Sequence, residues 1–220
     1  MHPEEKVIKI IEILRKATAH MAEPASAAIV RKYGPDPFLI LVSCLLSLRT
    51  KDTVSLPASI RLFEHAKTPE QLLLIPSLLL QKIIYPVGFY RVKAKNLHTV
   101  SQVLLAQYGG KVPGTEGELL KLPGVGRKTA NLVLGEAFGI PALCVDTHVH
   151  RISNRLGLVK TGKPEETEAA LKKVLPPSYW VEYNRLLVMW GQNICVPISP
   201  FCSRCPVAPL CERVGVTRSR

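Results

Sequence analysis

The chain has 220 residues, and its 29 lysines and arginines against 17 aspartates and glutamates give a formal charge of +12. Hydrophobic residues make up 47% of it, which excludes a collagen, a disordered chain and a disulfide-rich miniprotein. The most apolar stretch, Phe38–Leu48, is far shorter than the ~20 residues of a membrane-spanning helix, and the N-terminus is not a signal peptide. We therefore expect a cytoplasmic protein with a polyanionic partner and no membrane contact.

Helical periodicity runs through nearly the whole chain. Val7, Ile10, Ile11 and Leu14 predict an amphipathic first helix. Later helices are predicted at 38–47 (buried), from a capping Asp52 to Phe63, at 70–75 after Thr68 and Pro69, at 91–107, and after Pro164. Because no sustained alternation with period two occurs, we predict an all-α fold.

The most informative segment joins two further predicted helices. Thr115 and Glu118 have the spacing of a capping box, which predicts a short helix beginning there. Residues 122–126 then break that helix, and a second one is predicted from Arg127 to about Phe138. The segment is therefore expected to form a helical hairpin.

The turn of this hairpin has the composition of a phosphate-binding site. Gly124, Val125 and Gly126 would present backbone N–H groups at the start of the second helix with little side-chain obstruction. Lys121 and Arg127 add positive charge beside those groups. In so basic a chain, we interpret the hairpin as a grip on the DNA backbone rather than an ordinary helical corner.

Two residues are candidates for chemistry. Lys128 lies in the first turn of the second helix, where the positive end of the helix dipole favours the neutral amine that can attack carbon; a phosphate contact is the plainer interpretation. Asp146 stands at an N-cap position before Val149 and Ile152. It is either a simple cap or a carboxylate that accepts a proton or stabilises positive charge on a sugar.

Four of the six cysteines crowd into the C-terminal part of the chain. Cys195, Cys202, Cys205 and Cys211 are separated by six, two and five residues. Four thiolates suit either an iron–sulfur cluster or a structural zinc ion, and a reducing compartment disfavours disulfides.

These motifs carry a family resemblance. Residues 122–131 followed by 145–151 resemble the helix–hairpin–helix and Gly/Pro-Asp signature of the endonuclease III family of DNA glycosylases, and the similarity extends from Phe38 to Cys211. It implies a bifunctional base excision repair enzyme that removes oxidised pyrimidines from double-stranded DNA. Lys128 would attack the sugar C1′ and form a Schiff base before β-elimination, and Asp146 would assist. The cysteine spacing then implies an architectural [4Fe–4S] cluster.

The resemblance also implies how DNA is held. Arg49 stands where the bacterial family usually has a glutamine that fills the space of a flipped nucleotide, and Phe89 stands at the position of its apolar wedge. Backbone contacts are expected from a further set of basic residues: Arg91, Lys93, Lys95, Arg151, Arg155 and Arg204.

The expected architecture has two helical lobes with a DNA-binding cleft between them. One lobe spans 25–139 and contains the hairpin; the other combines 1–24 with 140–220 and contains the cluster loop, 195–211. We expect a monomer associated with the nucleoid of a prokaryote, acting on damaged pyrimidines or abasic sites. The alternatives are a uracil or thymine-mismatch glycosylase of the same superfamily and, in a different class, a non-catalytic DNA-binding module.

Overall fold

The computed structural model describes residues 2–220. Within that range, the regular secondary structure consists of α-helices and 3₁₀ helices, with no strand. The α-helices of the first half are α1 Pro3–Thr18, α2 Ala25–Tyr33, α3 Pro37–Ser47, α4 Asp52–His65, α5 Pro69–Leu74 and α6 Ser77–Ile84. Those of the second half are α7 Tyr90–Tyr108, α8 Glu116–Leu119, α9 Arg127–Phe138, α10 Thr147–Arg155, α11 Pro164–Leu171 and α12 Trp180–Asn193. Short 3₁₀ helices lie at Pro177–Tyr179, Cys202–Arg204 and Ala208–Leu210. The prediction of an all-α fold is confirmed.

The chain divides into two compact units. The hairpin unit is Pro24–Ile140, and the terminal unit combines the residues up to Glu23 with Pro141–Arg220. In the hairpin unit, every residue of α3 from Phe38 to Leu46 is buried, and α2, α4, α7 and α9 pack around that helix. The long apolar run therefore forms a central helix, as its composition predicted.

The terminal unit is built around α12. Helices α1 and α10 pack against it, and the apolar stripe of α1 is completely buried there. The core of the unit is centred on Tyr183, whose hydroxyl lies 2.9 Å from that of Ser153 on α10. That hydrogen bond satisfies two buried polar groups in a core that is otherwise apolar.

Local capping signals were confirmed, with one exception. Thr68 and Thr115 accept hydrogen bonds from the backbone N–H groups three residues further on. Asp52, however, is the first residue of α4 rather than its N-cap, and its carboxylate accepts from the N–H of Ala25 at the start of α2 at 3.4 Å. Its acidic side chain thus supports a different helix, which sequence spacing does not reveal. None of the described helices combines the length and apolar composition needed to cross a bilayer.

Candidate active site and nucleic-acid interface

The hairpin turn between α8 and α9 depends on a glycine. Gly124 has φ +74°, and a Cβ at this position would collide with the side-chain amide of Asn96. That amide donates to the carbonyl of Pro123 at 3.1 Å and so holds the turn against α7. Val125 is buried and its N–H bonds to the carbonyl of Leu122 at 3.1 Å. Both the left-handed backbone and the close approach therefore exclude a side chain at Gly124.

The start of α9 is open to a ligand. Gly126 is the N-cap residue, has no side chain to cap the helix, and would leave a Cβ in open space. The first amides of α9 are consequently available in the way that an anion requires. Lys121 pairs with Glu118 at 2.6 Å and Arg127 with Glu116 at 3.3 Å. Exposed pairs of this kind are weak, so a phosphate could replace either carboxylate.

Lys128 is exposed on the first turn of α9, two residues after the N-cap. Lys128 also acts electrostatically on Cys44, a buried residue of α3. Burial and the carboxylate of Glu136 raise the pKa of the Cys44 thiol, whereas the positive charge of Lys128 acts in the opposite direction. The lysine thus stands between the solvent and a buried part of the hairpin unit.

Asp146 belongs to the terminal unit and is the N-cap of α10. It is buried, and its Oδ1 accepts from the backbone N–H groups of His148 at 2.8 Å and Val149 at 2.9 Å. The predicted cap is therefore present. A carboxylate bonded to two amides is held in one orientation, which suits a group that must meet a developing charge.

Two arginines expected at the DNA backbone are instead directed into the protein. Arg151 is half-buried, and its guanidinium donates to the carbonyls of Gly191 at 3.2 Å and Cys195 at 2.8 Å. Arg155 is buried and donates to the carbonyls of Val196 and Pro197 at 2.8 and 2.6 Å. Both guanidinium groups are held in this way because α10 packs against the cysteine segment. A phosphate contact does not fit the buried Arg155, whereas that of Arg151 stays a prediction.

The four C-terminal cysteines line one cavity of about 430 Å³, including its open mouth. The rest of its wall is mainly apolar and includes Ile152, Trp190, Phe201 and Val207. Arg155 holds both ends of the segment: Nη1 lies 3.4 Å from the Sγ of Cys195, and the backbone carbonyl accepts from the Sγ of Cys211 at 3.3 Å.

The donor set of this cavity bears on which metal group it could hold. A tetrahedral zinc ion needs four sulfurs within ~2.3 Å of one point. In the described part of the chain, no three Cys, His, Asp or Glu side chains converge closely enough to hold a single ion. Four thiols lining one cavity fit an iron–sulfur cluster in their chemistry, because cysteine thiolates are the usual ligands of such a cluster. Burial and the neighbouring cysteines raise the pKa of the Cys205 and Cys211 thiols, which disfavours bare thiolates and would be reversed by iron coordination.

Comparison with known proteins identifies the family. The family described as HhH-GPD superfamily base excision DNA repair protein matches residues 42–177. Endonuclease III of Thermotoga maritima is 48% identical over 197 residues, which cover 87% of this chain and 92% of that protein. The chain belongs to the endonuclease III family.

Solved structures agree with this family. A non-covalent complex of endonuclease III with DNA has a TM-score of 0.82 and 33% identity, over 97% of both chains. A thermostable thymine-DNA glycosylase has a TM-score of 0.81 and 26% identity, over 95% of this chain and 96% of that one. As an endonuclease III family member, the protein is a base excision repair DNA glycosylase with AP lyase activity. The hypothesis of a non-catalytic binding module is thereby excluded.

In this endonuclease III family member, the two residues expected to probe the duplex lie in adjoining loops of the hairpin unit. The N–H of Gly88 donates to Oγ1 of Thr50 at 3.1 Å, which joins the segment before α7 to the one before α4. Arg49 and Phe89 are both exposed, and both have left-handed backbones, with φ +52° and +58°. Left-handed non-glycine residues are strained and concentrate at functional sites.

Aromatic residues around Phe89 were not predicted. Tyr85 is 61% exposed and packs edge-to-face on Tyr90, with ring centroids 5.4 Å apart. The guanidinium of Arg91 lies 5.4 Å from the Tyr90 ring, and Arg61 donates to the carbonyl of Tyr85 at 2.6 Å. The chain has few aromatic residues, yet Tyr85, Phe89 and Tyr90 lie close together. Their spacing in the sequence was the available signal for this aromatic surface.

Lys93 corrects another expectation. It was predicted to contact the DNA backbone, yet it is only 9% exposed and its ammonium donates to protein acceptors. Burial lowers the pKa of Lys93 to about 8. Arg204, in contrast, is exposed on the 3₁₀ turn at Cys202, with its guanidinium 4.4 Å from the Phe201 ring. Arg91 and Arg204 remain predicted DNA contacts.

Proposed function

We propose that this glycosylase and AP lyase removes oxidised pyrimidines from double-stranded DNA and then cleaves the strand at the resulting abasic site. The observation that carries the proposal is an exposed lysine, Lys128, on the first turn of the helix that follows the glycine hairpin. A phosphate bound at the amides of that turn would bring the deoxyribose of a flipped nucleotide within reach of the amine.

Lys128 acts as the nucleophile in this proposal. Its neutral amine attacks C1′, and the bond from C1′ to the damaged base breaks with the electron pair leaving on the base. Opening of the sugar ring at C1′–O4′ gives a Schiff base between Nζ and C1′. Loss of a proton from C2′ then breaks the C3′–O bond, and hydrolysis of the Schiff base restores the lysine. The positive end of the α9 dipole supports the chemistry because it disfavours the ammonium form.

Asp146 assists the departure of the base. Its carboxylate would stabilise positive charge on the sugar as the base leaves. The bonds from the N–H groups of His148 and Val149 fix Oδ1. The carboxylate therefore does not need to reorient when positive charge develops on the sugar.

Replacing Asp146 with asparagine should separate this role from helix capping. Asparagine is as good an N-cap as aspartate, so stability should change by less than about 1 kcal/mol. Base release should slow by roughly 10²-fold or more because the negative charge is lost. Single-turnover base release and thermal unfolding would be measured, with Asp36→Asn as the matched control, since Asp36 caps α3 through one similar bond of 2.9 Å. Equal effects of the two substitutions would contradict the catalytic role.

The cofactor in this proposal is a [4Fe–4S] cluster held by Cys195, Cys202, Cys205 and Cys211. The cavity that these four residues line and the similarity to endonuclease III support it. When bound, such a cluster would crosslink the segment through four cysteine thiolates. With all four ligands from the protein, no coordination position would remain for a substrate. We assign it an architectural role.

Each of the two units, taken by itself, contains residues that we expect to contact DNA. In the hairpin unit, the backbone amides of Gly124 and Gly126 and the charges of Lys121, Arg127 and Arg91 would hold phosphates, whereas the Val125 N–H already bonds to Leu122. Arg49 and Phe89 of the same unit would enter the duplex. In the terminal unit, Arg204 would add a contact beside the cluster segment. One such set per chain gives no reason for a dimer, so we propose a monomer. Its place of action would be the nucleoid in the cytoplasm of a prokaryote, a proposal supported by the 48% identity to a bacterial endonuclease III.

A second candidate substrate class rests on a separate observation. The similar structure of a thermostable thymine-DNA glycosylase, at 26% identity, makes uracil or mismatched thymine an alternative target base. Arg49, in place of the glutamine expected from the family resemblance, is the residue that would alter the choice of the opposing base.

The substrate class can be tested by borohydride trapping. Duplexes would carry thymine glycol, uracil opposite guanine, thymine opposite guanine, or an abasic site, and both the trapped complex and the released base would be measured. We expect trapping on thymine glycol and on the abasic site. Release of uracil or mismatched thymine at a rate similar to that of thymine glycol would favour the second candidate class, and trapping on the abasic site alone would contradict the oxidised-pyrimidine assignment.

A further inference from the structure

The ammonium of Lys93 lies inside the hairpin unit, at the end of α3. Its Nζ donates to the carbonyls of Leu46 at 2.7 Å and Leu48 at 2.5 Å, and to Oγ1 of Thr50 at 3.0 Å. An ammonium has three donors, so all of them are used. Leu46 and Leu48 carry carbonyls at the C-terminal end of α3, where the helix dipole favours a cation. All three acceptors are uncharged, so the lysine is held by hydrogen bonds to neutral groups rather than by an ion pair.

Thr50 extends this contact to the second loop. Its Oγ1 accepts from Lys93 and from the N–H of Gly88, and it donates to the carbonyl of Leu48 at 3.3 Å. A hydroxyl has one donor and two acceptor positions, so this one is saturated. A Cβ on Gly88 would lie 3.1 Å from both this oxygen and the carbonyl oxygen of Arg49. The segments 47–51 and 86–90 are therefore bound into one structure.

Each of the two joined segments contains an exposed residue with a strained backbone. Arg49 and Phe89 are exposed and adopt the left-handed backbone without being glycine. Such conformations persist only where the surrounding contacts leave no alternative. The contacts that connect the two segments are those of Thr50, Gly88 and the Lys93 ammonium.

We propose that Lys93 is a positioning residue that holds Arg49 and Phe89 together in the conformation that enters damaged DNA. This rests on the proposed function of those two side chains. Lys93 contacts neither DNA nor the reacting sugar; it acts through the backbone of the Arg49 segment and through Thr50. A buried ammonium is costly, and here its three bonds go to Leu46 at the end of α3 and to Leu48 and Thr50 in the Arg49 segment. Thr50 in turn accepts from Gly88 of the Phe89 segment.

The connection itself can be tested without DNA. Amide hydrogen exchange would be measured by mass spectrometry on wild type, Lys93→Met and the exposed-lysine control Lys111→Met, which removes the same charge elsewhere in the hairpin unit. We expect exchange in Lys93→Met to be at least tenfold faster in both segments, 47–51 and 86–90, with α3 and α9 unchanged. Unchanged loops would overturn the proposal, as would equally faster exchange throughout the unit.

A milder variant guards against a folding defect. Thr50→Val removes the hydroxyl that joins Lys93 to Gly88 and leaves the two carbonyl bonds of the lysine intact. The same pair of segments should exchange faster, by a smaller factor than in Lys93→Met. If only segment 47–51 responded in both variants, Lys93 would be a local cap of α3 and the proposed coupling would be wrong.

The functional consequence is measured on abasic duplexes with each of the four opposing bases. We expect wild-type strand cleavage to depend on the opposing base, and both Lys93→Met and Arg49→Ala to reduce that dependence at least fivefold. Lys93→Arg, which keeps the charge and donors, should restore part of it. Loosened loops with wild-type discrimination would overturn the positioning role. If the wild type itself shows no dependence, the proposed insertion of Arg49 fails, and hydrogen exchange still decides whether Lys93 couples the loops.

Discussion

Replacing Lys128 with arginine should abolish borohydride trapping on every damaged duplex while leaving the protein folded and able to bind DNA. Arginine keeps the positive charge at the start of α9, but its guanidinium stays protonated and cannot form a Schiff base. Removal of a nucleophile typically lowers the rate by on the order of 10⁴-fold or more. Lys128 is exposed, so neither arginine nor alanine disturbs the core of the hairpin unit.

The pair of variants at this position separates two hypotheses. If Lys128 only contacts a phosphate, Lys128→Arg should retain trapping, whereas Lys128→Ala should weaken binding and reduce the salt dependence of the affinity by about 0.9 in slope. If it is the nucleophile, both variants lose trapping and the arginine variant keeps its affinity. Lys111→Ala serves as the control for the loss of one exposed lysine. Trapping by Lys128→Arg at the wild-type rate would assign the covalent step to another amine.

The helices and their caps could be predicted because the signals are local. Apolar periodicity predicted α3 and α7 to within one residue at each end and the buried stripe of α1, and the hydroxyls of Thr68 and Thr115 capped as predicted. Helices α2, α6 and α12 were not predicted. The positions of Arg127 and Phe138 as the ends of α9 were also correct, because a glycine stands next to each of them.

The interior roles of basic residues could not be predicted in the same way. Lys93 and Arg155 were expected at the surface because charged side chains are rarely buried, yet both are only 9% exposed and bond to backbone carbonyls of other segments. Those carbonyls lie about 45 and 41 positions away along the chain. One signal was available: the buried positions Leu97 and Leu104 of α7, continued one turn towards its start, lead to Lys93.

The catalytic assignment shows the same limit. The hairpin, the cap at Asp146 and the cysteine spacing each follow from a few neighbouring residues. The choice between zinc and a cluster depended on the family resemblance, since four thiolates alone permit both. The role of Lys128 as a nucleophile depends on the family resemblance and on exposure at the start of α9, so its proof lies in the arginine variant rather than in the fold.

Cys202→Ser should cost the protein its cluster and a large part of its stability. The segment from Cys195 to Cys211 contains only two 3₁₀ turns and lines a cavity that the protein alone does not fill. Iron–sulfur bonds would therefore supply much of the free energy that orders it. We expect iron and acid-labile sulfide to fall from about four of each per chain to well below one. The unfolding temperature should fall by on the order of 10 °C, which is about 3–4 kcal/mol for a chain of this size.

The matched control is Cys144→Ala, because Cys144 is buried in the same unit but does not line the cavity. This variant should keep its iron and sulfide in full, so a loss specific to Cys202→Ser identifies a ligand rather than a buried thiol. One zinc per wild-type chain without sulfide would contradict the cluster. Full iron content in Cys202→Ser would remove Cys202 from the ligand set. Because Arg155 bonds to both Cys195 and Cys211, the cluster-free segment should stay attached to α10, and we expect Lys128-dependent trapping to fall in step with folded protein rather than to vanish.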